Sequence, residues 1–539
     1  MPTPLFNPHA LTLDASRRWV GYAALVRGLG LSVPVAAECA VANGHIRGSV
    51  RAEAGVRIFD QRYRPTDDIA GHLHFALKHE ALDLLVLSRV FGRMGPEAVA
   101  AIVGANPARQ HARQLWFLYE WLTGERLPLP DLASGGHYVP LLDPTQYFLG
   151  EPARWVRSPR HKILDNLPGS PAFCPLVRRT PALEAFASQG LHTQVQAVMG
   201  HTAPDVWRRA ASFLLLADSR ASFAIEGEHP ARNRIERWAQ VIQQAGQRAL
   251  SMDELLRMHA ALIHDDRFVA HGLRTQGVFL GDRDRFGDPI PEFIGARAQD
   301  LAALLAGLLQ TDHLLGTRRI DPIIHAAIVA FGLVFIHPFE DGNGRMHRAL
   351  IHHVLAQRGF APSGLVFPVS AVLLDRIHDY REALRAHSSR LMPFIDWAPD
   401  AQRNVAVRND TADLYRYGDY TALAEFLYAF VAHTVTELLP QEVRYLQCHD
   451  RALTAIAQHI DLPQNIARDL VMFITQNDMK LPIRRRKGEF AALTDDEVGV
   501  LEGEIARAFD GSSDAAGGGV GKPGSDPYFP PTLRDGLAS

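Results

Sequence analysis

The residues from Ile323 to Ile336 read IIHAAIVAFGLVFI, and His325 is the one polar side chain among them. A run this uniformly apolar belongs inside a folded core, because no face of it can meet water favourably. At about fourteen residues it exceeds a typical strand and falls short of the roughly 20 that a bilayer span needs. It is therefore expected to be a buried helix. The next stretch is opposite in character: HPFEDGNGRMHR, residues 337–348, holds a histidine, two carboxylates, two glycines around an asparagine and two arginines. A second helical pattern, RALIHHVLAQRG, comes after it and stops at Gly359. The chain must fold here as two buried helices joined by a tight polar loop, with the polar groups gathered at the second helix's N-terminus.

That arrangement suits a phosphate group. Helix N-termini carry backbone N–H groups without intrahelical partners, and partial positive charge. Gly342 and Gly344 lack a Cβ and tolerate positive φ, so the main chain can approach an anion closely. Arg345 and Arg348 lie three residues apart on one helix face and can reach one polyphosphate together. Asp341 offers hard oxygen ligands, and Mg²⁺ is commonly held by one or two carboxylates plus substrate phosphates. His337 titrates near neutrality, as a general base should. The chain has no GxxxxGK[ST], so this is not the nucleotide loop of a P-loop protein.

The segment resembles the signature of Fic-domain proteins, H-P-F-x-[DE]-G-N-G-R-x-x-R, at every fixed position. The resemblance implies an α-helical core that transfers part of a nucleotide, most often AMP from ATP, to a hydroxyl of a target protein. It implies His337 as the base, Asp341 as the Mg²⁺ ligand, Gly342, Asn343 and Gly344 as the anion-binding loop, and Arg345 and Arg348 as the phosphate-binding arginines. Arg348 would face the γ-phosphate. Upstream, Ser222-Phe223-Ala224-Ile225-Glu226-Gly227 fits the family's inhibitory pattern [ST]-x-x-x-E-[GN] at the end of a helical stretch of about 205–227. On this resemblance Ser222, Glu226 and Gly227 belong to an autoinhibitory element, and the Glu226 carboxylate pairs with Arg348 where a γ-phosphate would sit. The stretch RTQGVFLGDRDRFGDPIPEFIG, 274–295, resembles the β-hairpin flap that pins a target chain by strand pairing.

A length of 539 residues implies several domains. Residues 1–195 have a mixed, largely helical pattern and no legible chemistry. Residues 196–400 are expected to hold the Fic domain, 415–510 a helical module, and 511–539 a disordered tail rich in Gly, Ser and Pro. A net charge of −3 advertises no field for nucleic acid or anionic lipid. The four cations Arg484–Lys487 are read as a solvated loop. Three scattered cysteines and the absence of a signal-like N-terminus point to a cytoplasmic protein. His325, His347, His352 and His353 crowd the two motif helices without an HExxH spacing, and are read as ordinary polar histidines.

The expected fold class is mainly α: a Fic-type helical core with a β-hairpin flap, a mixed N-terminal region and a C-terminal helical module. The expected function is AMP transfer from Mg·ATP to Ser, Thr or Tyr of a protein substrate, restrained by Glu226. Self-modification and a homo-oligomer stay open, and no membrane partner is expected. Two alternatives stand beside it. One is hydrolytic removal of AMP at the same site, and the other a partner- or DNA-binding regulator with a vestigial core.

Overall fold

A computed structural model describes residues 5–133, 136–263, 271–360 and 366–510. The expected tail, 511–539, lies outside the described residues. The fold is mainly α. By contact the chain divides into two compact units, each assembled from three stretches. The first takes 1–185, 246–358 and 379–428, and the second takes 186–245, 359–378 and 429–539. These are not the consecutive segments that composition suggests. Helices such as Pro181–Ser188, Ile377–Leu391 and Thr421–His433 run straight through the points where the units change, so no shift in residue type marks them.

In the first unit the N-terminal region carries a five-stranded sheet. Its spatial order is Thr12–Asp14, Arg17–Val20, Glu38–Ala42, Val56–Phe59 and Val50–Glu53, all antiparallel except the Glu38–Ala42/Val56–Phe59 pair. The apparent helix WVGYAALVRGLGL is split: Trp19 and Val20 are strand, and the helix is Gly21–Leu29. The stretch DDIAGHLHFALKHEALDLLVLSRVFG likewise becomes two helices. The first ends at His79, and Asp83 caps the second through Val86 N–H at 3.0 Å.

The apolar run forms the helix Pro322–Ile336, and every residue from Ile323 to Ile336 is buried. Asp321 caps it, accepting from the N–H groups of Ile323 (2.9 Å) and Ile324 (3.1 Å), and Pro322 supplies a pre-set first turn. Its main partner is the helix after the loop, Asn343–Gln357, with Leu301–Thr317 also packed on it. Burying each large apolar side chain contributes roughly 1.5–3 kcal/mol, so this helix pair is the rigid floor of the site. Its histidines are knitted into the protein. Arg358 can only donate, so it fixes His325 Nδ1 as acceptor (2.9 Å) and leaves Nε2–H to donate to Asp312 (2.8 Å). His347 Nδ1 meets the Tyr380 hydroxyl at 3.0 Å, and burial lowers the His347 pKa to about 3.

In the second unit the helix Pro204–Ile225 carries the upstream motif. It is anchored twice. Arg209 forms an ion pair with Asp450, and the buried Asp218 carboxylate accepts from the Ser370 N–H (2.5 Å) and hydroxyl (3.1 Å). A core around Ile456, Leu470, Ile474, Leu501 and Ile505 holds the C-terminal helices. The basic run is not a solvated loop. Residues Ile483–Arg486 form a short helix, Arg485 pairs with Glu489 and lies 4.1 Å over the Phe473 ring, and Arg486 pairs with Asp495. The continuous helical stretch Thr421–His459 is long and apolar enough by composition to cross a membrane, and 61% of its apolar window is buried inside the protein, as in a core helix.

Candidate active site

The helix Pro322–Ile336 stops because His337 turns into the left-handed region, φ +55° and ψ +60°. A non-glycine residue rarely sits there, and such strain is often found at functional positions. His337 is 7% exposed. Its Nδ1 lies 3.0 Å from the Val334 carbonyl, which can only accept, so Nδ1 carries the proton and Nε2 carries the lone pair of the neutral ring. The Phe293 ring stands edge-on to the imidazole at 5.8 Å.

The loop after His337 is closed by its own side chains. The Asn343 amide donates to the Phe339 carbonyl (2.8 Å) and accepts from the Phe339 N–H (3.0 Å). The Asn343 side chain thus also closes the loop in which it was expected to help bind an anion. These two bonds shape the loop and leave one amide N–H of Asn343, together with its main chain, able to meet an anion. Gly342 sits at φ +84° as the N-cap of Asn343–Gln357, and a Cβ there would lie 2.4 Å from Leu262 Cδ2. The left-handed φ is what calls for glycine at this position, and a Cβ would also push the Leu262 side chain aside. The next N–H groups, those of Asn343 and Gly344, open the helix.

Asp341 is half exposed. Its carboxylate accepts from Gly342 N–H (2.6 Å) and from Arg345 (2.9 Å). Arg345 and Arg348 are both almost completely buried, at 0% and 1% exposure, one helical turn apart. Arg345 therefore also serves the loop itself through Asp341. Among the described residues no cluster of three His, Cys, Asp or Glu could cage a metal. A single half-exposed carboxylate beside a helix N-terminus fits a Mg²⁺ that arrives with phosphates as its other ligands.

Two contributors were not visible in the sequence. His259, from the helix Met252–Leu262, stacks on Phe339 (4.0 Å between centroids, 10° between planes) and donates from Nε2 to the Asp341 carbonyl at 3.1 Å. Burial lowers its pKa. Arg274, just before the flap, bonds main-chain carbonyls around His337. Nothing near either residue in the chain signals these long-range contacts.

The flap is present as the antiparallel hairpin Phe279–Arg283 and Pro289–Ile294, with an irregular register between Pro291 and Phe293. The Asp284 carboxylate accepts from Phe286 and Asp288 N–H and so builds its turn. Leu280, Phe286 and Ile290 stand exposed along it. Ser222, Glu226 and Gly227 lie in the second unit. Ser222 is buried, whereas Glu226 and Gly227 are exposed where the helix ends, with Gly227 at φ +73° and the Glu228 N–H bonding back to the Phe223 carbonyl at 3.1 Å.

The profile of the Fic/DOC family matches residues 249–355, the span that contains His259, Arg274, the flap and the loop. Over 147 residues the chain is 33% identical to the protein adenylyltransferase fic-1 of Caenorhabditis elegans, covering 27% of this chain and 26% of that protein. It is 32% identical over 149 residues to the protein adenylyltransferase Fic of Nematostella vectensis, covering 27% of this chain and 31% of that protein. The chain thus matches only a quarter to a third of the length of these relatives. A solved Fic family protein from Desulfovibrio desulfuricans G20 is similar at 21% identity and a TM-score of 0.35, over 54% of this chain and 84% of that one.

Proposed function

From the Fic/DOC domain that residues 249–355 constitute, we infer that this chain transfers AMP from ATP to a hydroxyl side chain of a protein substrate. The observation that carries the reading is His337, whose Nε2 is set as the basic nitrogen directly before a helix N-terminus flanked by two buried arginines. Two proteins named protein adenylyltransferases match this chain at 33% and 32% identity over 147 and 149 residues, which supports the same chemistry.

His337 Nε2 takes the proton of the acceptor hydroxyl as its oxygen attacks the α-phosphorus. The α–β bridging bond breaks, and pyrophosphate departs. The Asn343 and Gly344 N–H groups, Arg345 and Arg348 face the charge that develops on the phosphates, so they are preorganised electrostatic stabilisers. Asp341 would hold Mg²⁺, which when bound neutralises charge on the departing pyrophosphate. The flap receives the protein substrate as an added strand along its edge, with the exposed Leu280, Phe286 and Ile290 available to its side chains. Glu226 restrains the reaction by pairing with Arg348 and excluding the γ-phosphate. Ser222 and Gly227 hold the helix end that presents it. The setting proposed for the reaction is the cytoplasm.

The test uses ATP labelled at the α- or the γ-phosphate, with the parent chain and Glu226→Gly supplied to a lysate. Label on protein from the α position, stronger in Glu226→Gly, is expected. Label from the γ position alone would replace the reading with phosphate transfer. A Glu226→Gly protein no faster than the parent would remove the restraint. One that is slower and also loses release of AMP from premodified protein would favour the hydrolytic direction.

A further inference from the structure

Arg274 is 4% exposed, and among the described residues it meets no carboxylate. Every acceptor it reaches is a main-chain carbonyl. Nε donates to His337 (2.7 Å), one terminal nitrogen to Gln276 (2.6 Å), and the other to Ala296 and, at 3.4 Å, to Ile336. Its own N–H donates to the Pro338 carbonyl at 3.0 Å. Burial lowers its pKa to about 10, so it remains charged at neutral pH. A buried cation without a counter-ion is costly unless its donors are satisfied. Here the satisfaction comes from main-chain carbonyls, and those of Ile336 and His337 lie at the C-terminal end of the helix Pro322–Ile336, where positive charge is also favoured by the helix dipole. The planar fork spreads its donors from three separate nitrogens over three segments, a span that the single nitrogen of an ammonium does not match.

Those three segments are the ones on which the chemistry depends. Gln276 lies before the first flap strand and Ala296 after the second, while Ile336, His337 and Pro338 are the reversal that aims the base. Space is tight at the same point. A Cβ on Gly295 would lie 2.6 Å from Val278 Cγ1, 3.0 Å from His337 Cβ and 3.2 Å from the Arg274 guanidinium. The left-handed backbone of His337 must persist for its Nδ1–H to reach Val334, and that bond is what leaves the lone pair on Nε2.

We propose that Arg274 is a positioning residue that locks the base of the flap to the His337 reversal, so that the basic nitrogen and the substrate-holding strands keep one fixed relation. The inference rests on the AMP-transfer reading above. It predicts that geometry is lost before nucleotide binding is. A misplacement of about 1 Å at a reacting centre can cost roughly 100-fold.

The experiment compares the parent, Arg274→Lys, Arg274→Gln and Gly295→Ala, with His337→Ala as reference. ATP affinity, kcat for AMP transfer, melting temperature and the histidine ¹⁵N signature of His337 are measured. Expected for Arg274→Lys and Arg274→Gln is a kcat lower by about 30–100-fold, ATP affinity within about threefold, and an imidazole signal that becomes a mixture of tautomers. Gly295→Ala, which crowds the same point without removing charge, should move kcat and tautomer in the same direction. It keeps the proposal testable if the arginine variants fail to fold. Parent-like kcat in Arg274→Lys and Arg274→Gln would overturn the proposal, as would reduced kcat with an unchanged tautomer in folded protein. If His337→Ala itself transfers AMP like the parent, the functional reading fails, and that outcome is distinct from both.

Discussion

The loop 337–348 and the flap 279–294 are held in opposite ways. The loop is held largely from within: Asn343 clamps Phe339 four residues back, Asp341 accepts from Gly342 and from Arg345 four residues on, and His337 bonds Val334 three residues back. The flap is held by distant parts of the chain. Asn404 donates to the Gly277 carbonyl at 2.7 Å, Arg283 donates to the Arg403 carbonyl at 2.6 Å, and the Arg403 guanidinium donates back to Phe286. A loop closed mainly by local bonds keeps its shape, with His259 and Arg274 adding contacts from outside. A hairpin braced from outside depends on every brace for its position. On the proposed function, the loop would govern chemistry and the braces would govern how substrate is presented.

Breaking the loop should have the largest effect. Asn343→Ala leaves a buried N–H and a buried carbonyl of Phe339 without partners, at a cost on the order of 2–4 kcal/mol, and transfer should fall below detection. A urea midpoint and an initial rate check both. A variant with parent-like stability would show that the clamp is dispensable. Asp341→Ala should come next, with activity down by at least about 100-fold and its Mg²⁺ dependence gone. Glu340→Ala, at an exposed position beside it, should stay within about threefold of the parent. The reverse order would move the metal to Glu340.

Loosening a brace should be milder. Arg403→Ala is expected to raise KM for the protein substrate by about 3–10-fold while leaving KM for ATP unchanged. An equal rise in both would mean that the flap's bracing is not separable from the loop. The smallest effect concerns the floor. Burial holds His347 at a pKa of about 3 against an ordinary 6.5, so between these values the unfolded chain binds a proton that the native state does not. Stability should therefore fall as pH drops below about 6.5, by up to about 1.4 kcal/mol per pH unit for this group. Denaturation at pH 7 and pH 5 should show a shallower loss in His347→Phe. An identical slope in both proteins would mean that other buried histidines carry the whole effect.

The same contrast explains what could be read from the sequence. The helix–loop–helix, the glycine turn and the hairpin were legible because their bonds span a few residues. The run Ile323–Ile336 announced its burial by having no polar face. Asn343 was legible as a loop residue, but the sequence did not show that its amide also closes on the Phe339 main chain. His259 and Arg274 were invisible as site residues because their partners lie about 60 to 80 positions away. The N-terminal strands were hidden for a related reason. They are three to five residues long, and Trp19 and Val20 run directly into a helix whose apolar pattern masks them.

The most direct measurement is the initial rate of AMP transfer from α-labelled Mg·ATP by His337→Ala beside the parent, with ATP affinity and melting temperature recorded on both. Removing a placed general base should lower the rate by roughly 10²–10⁴-fold while affinity and melting temperature stay close to the parent's. A rate within about threefold of the parent, in a variant that binds ATP and melts as the parent does, would contradict the assignment of His337 as the base.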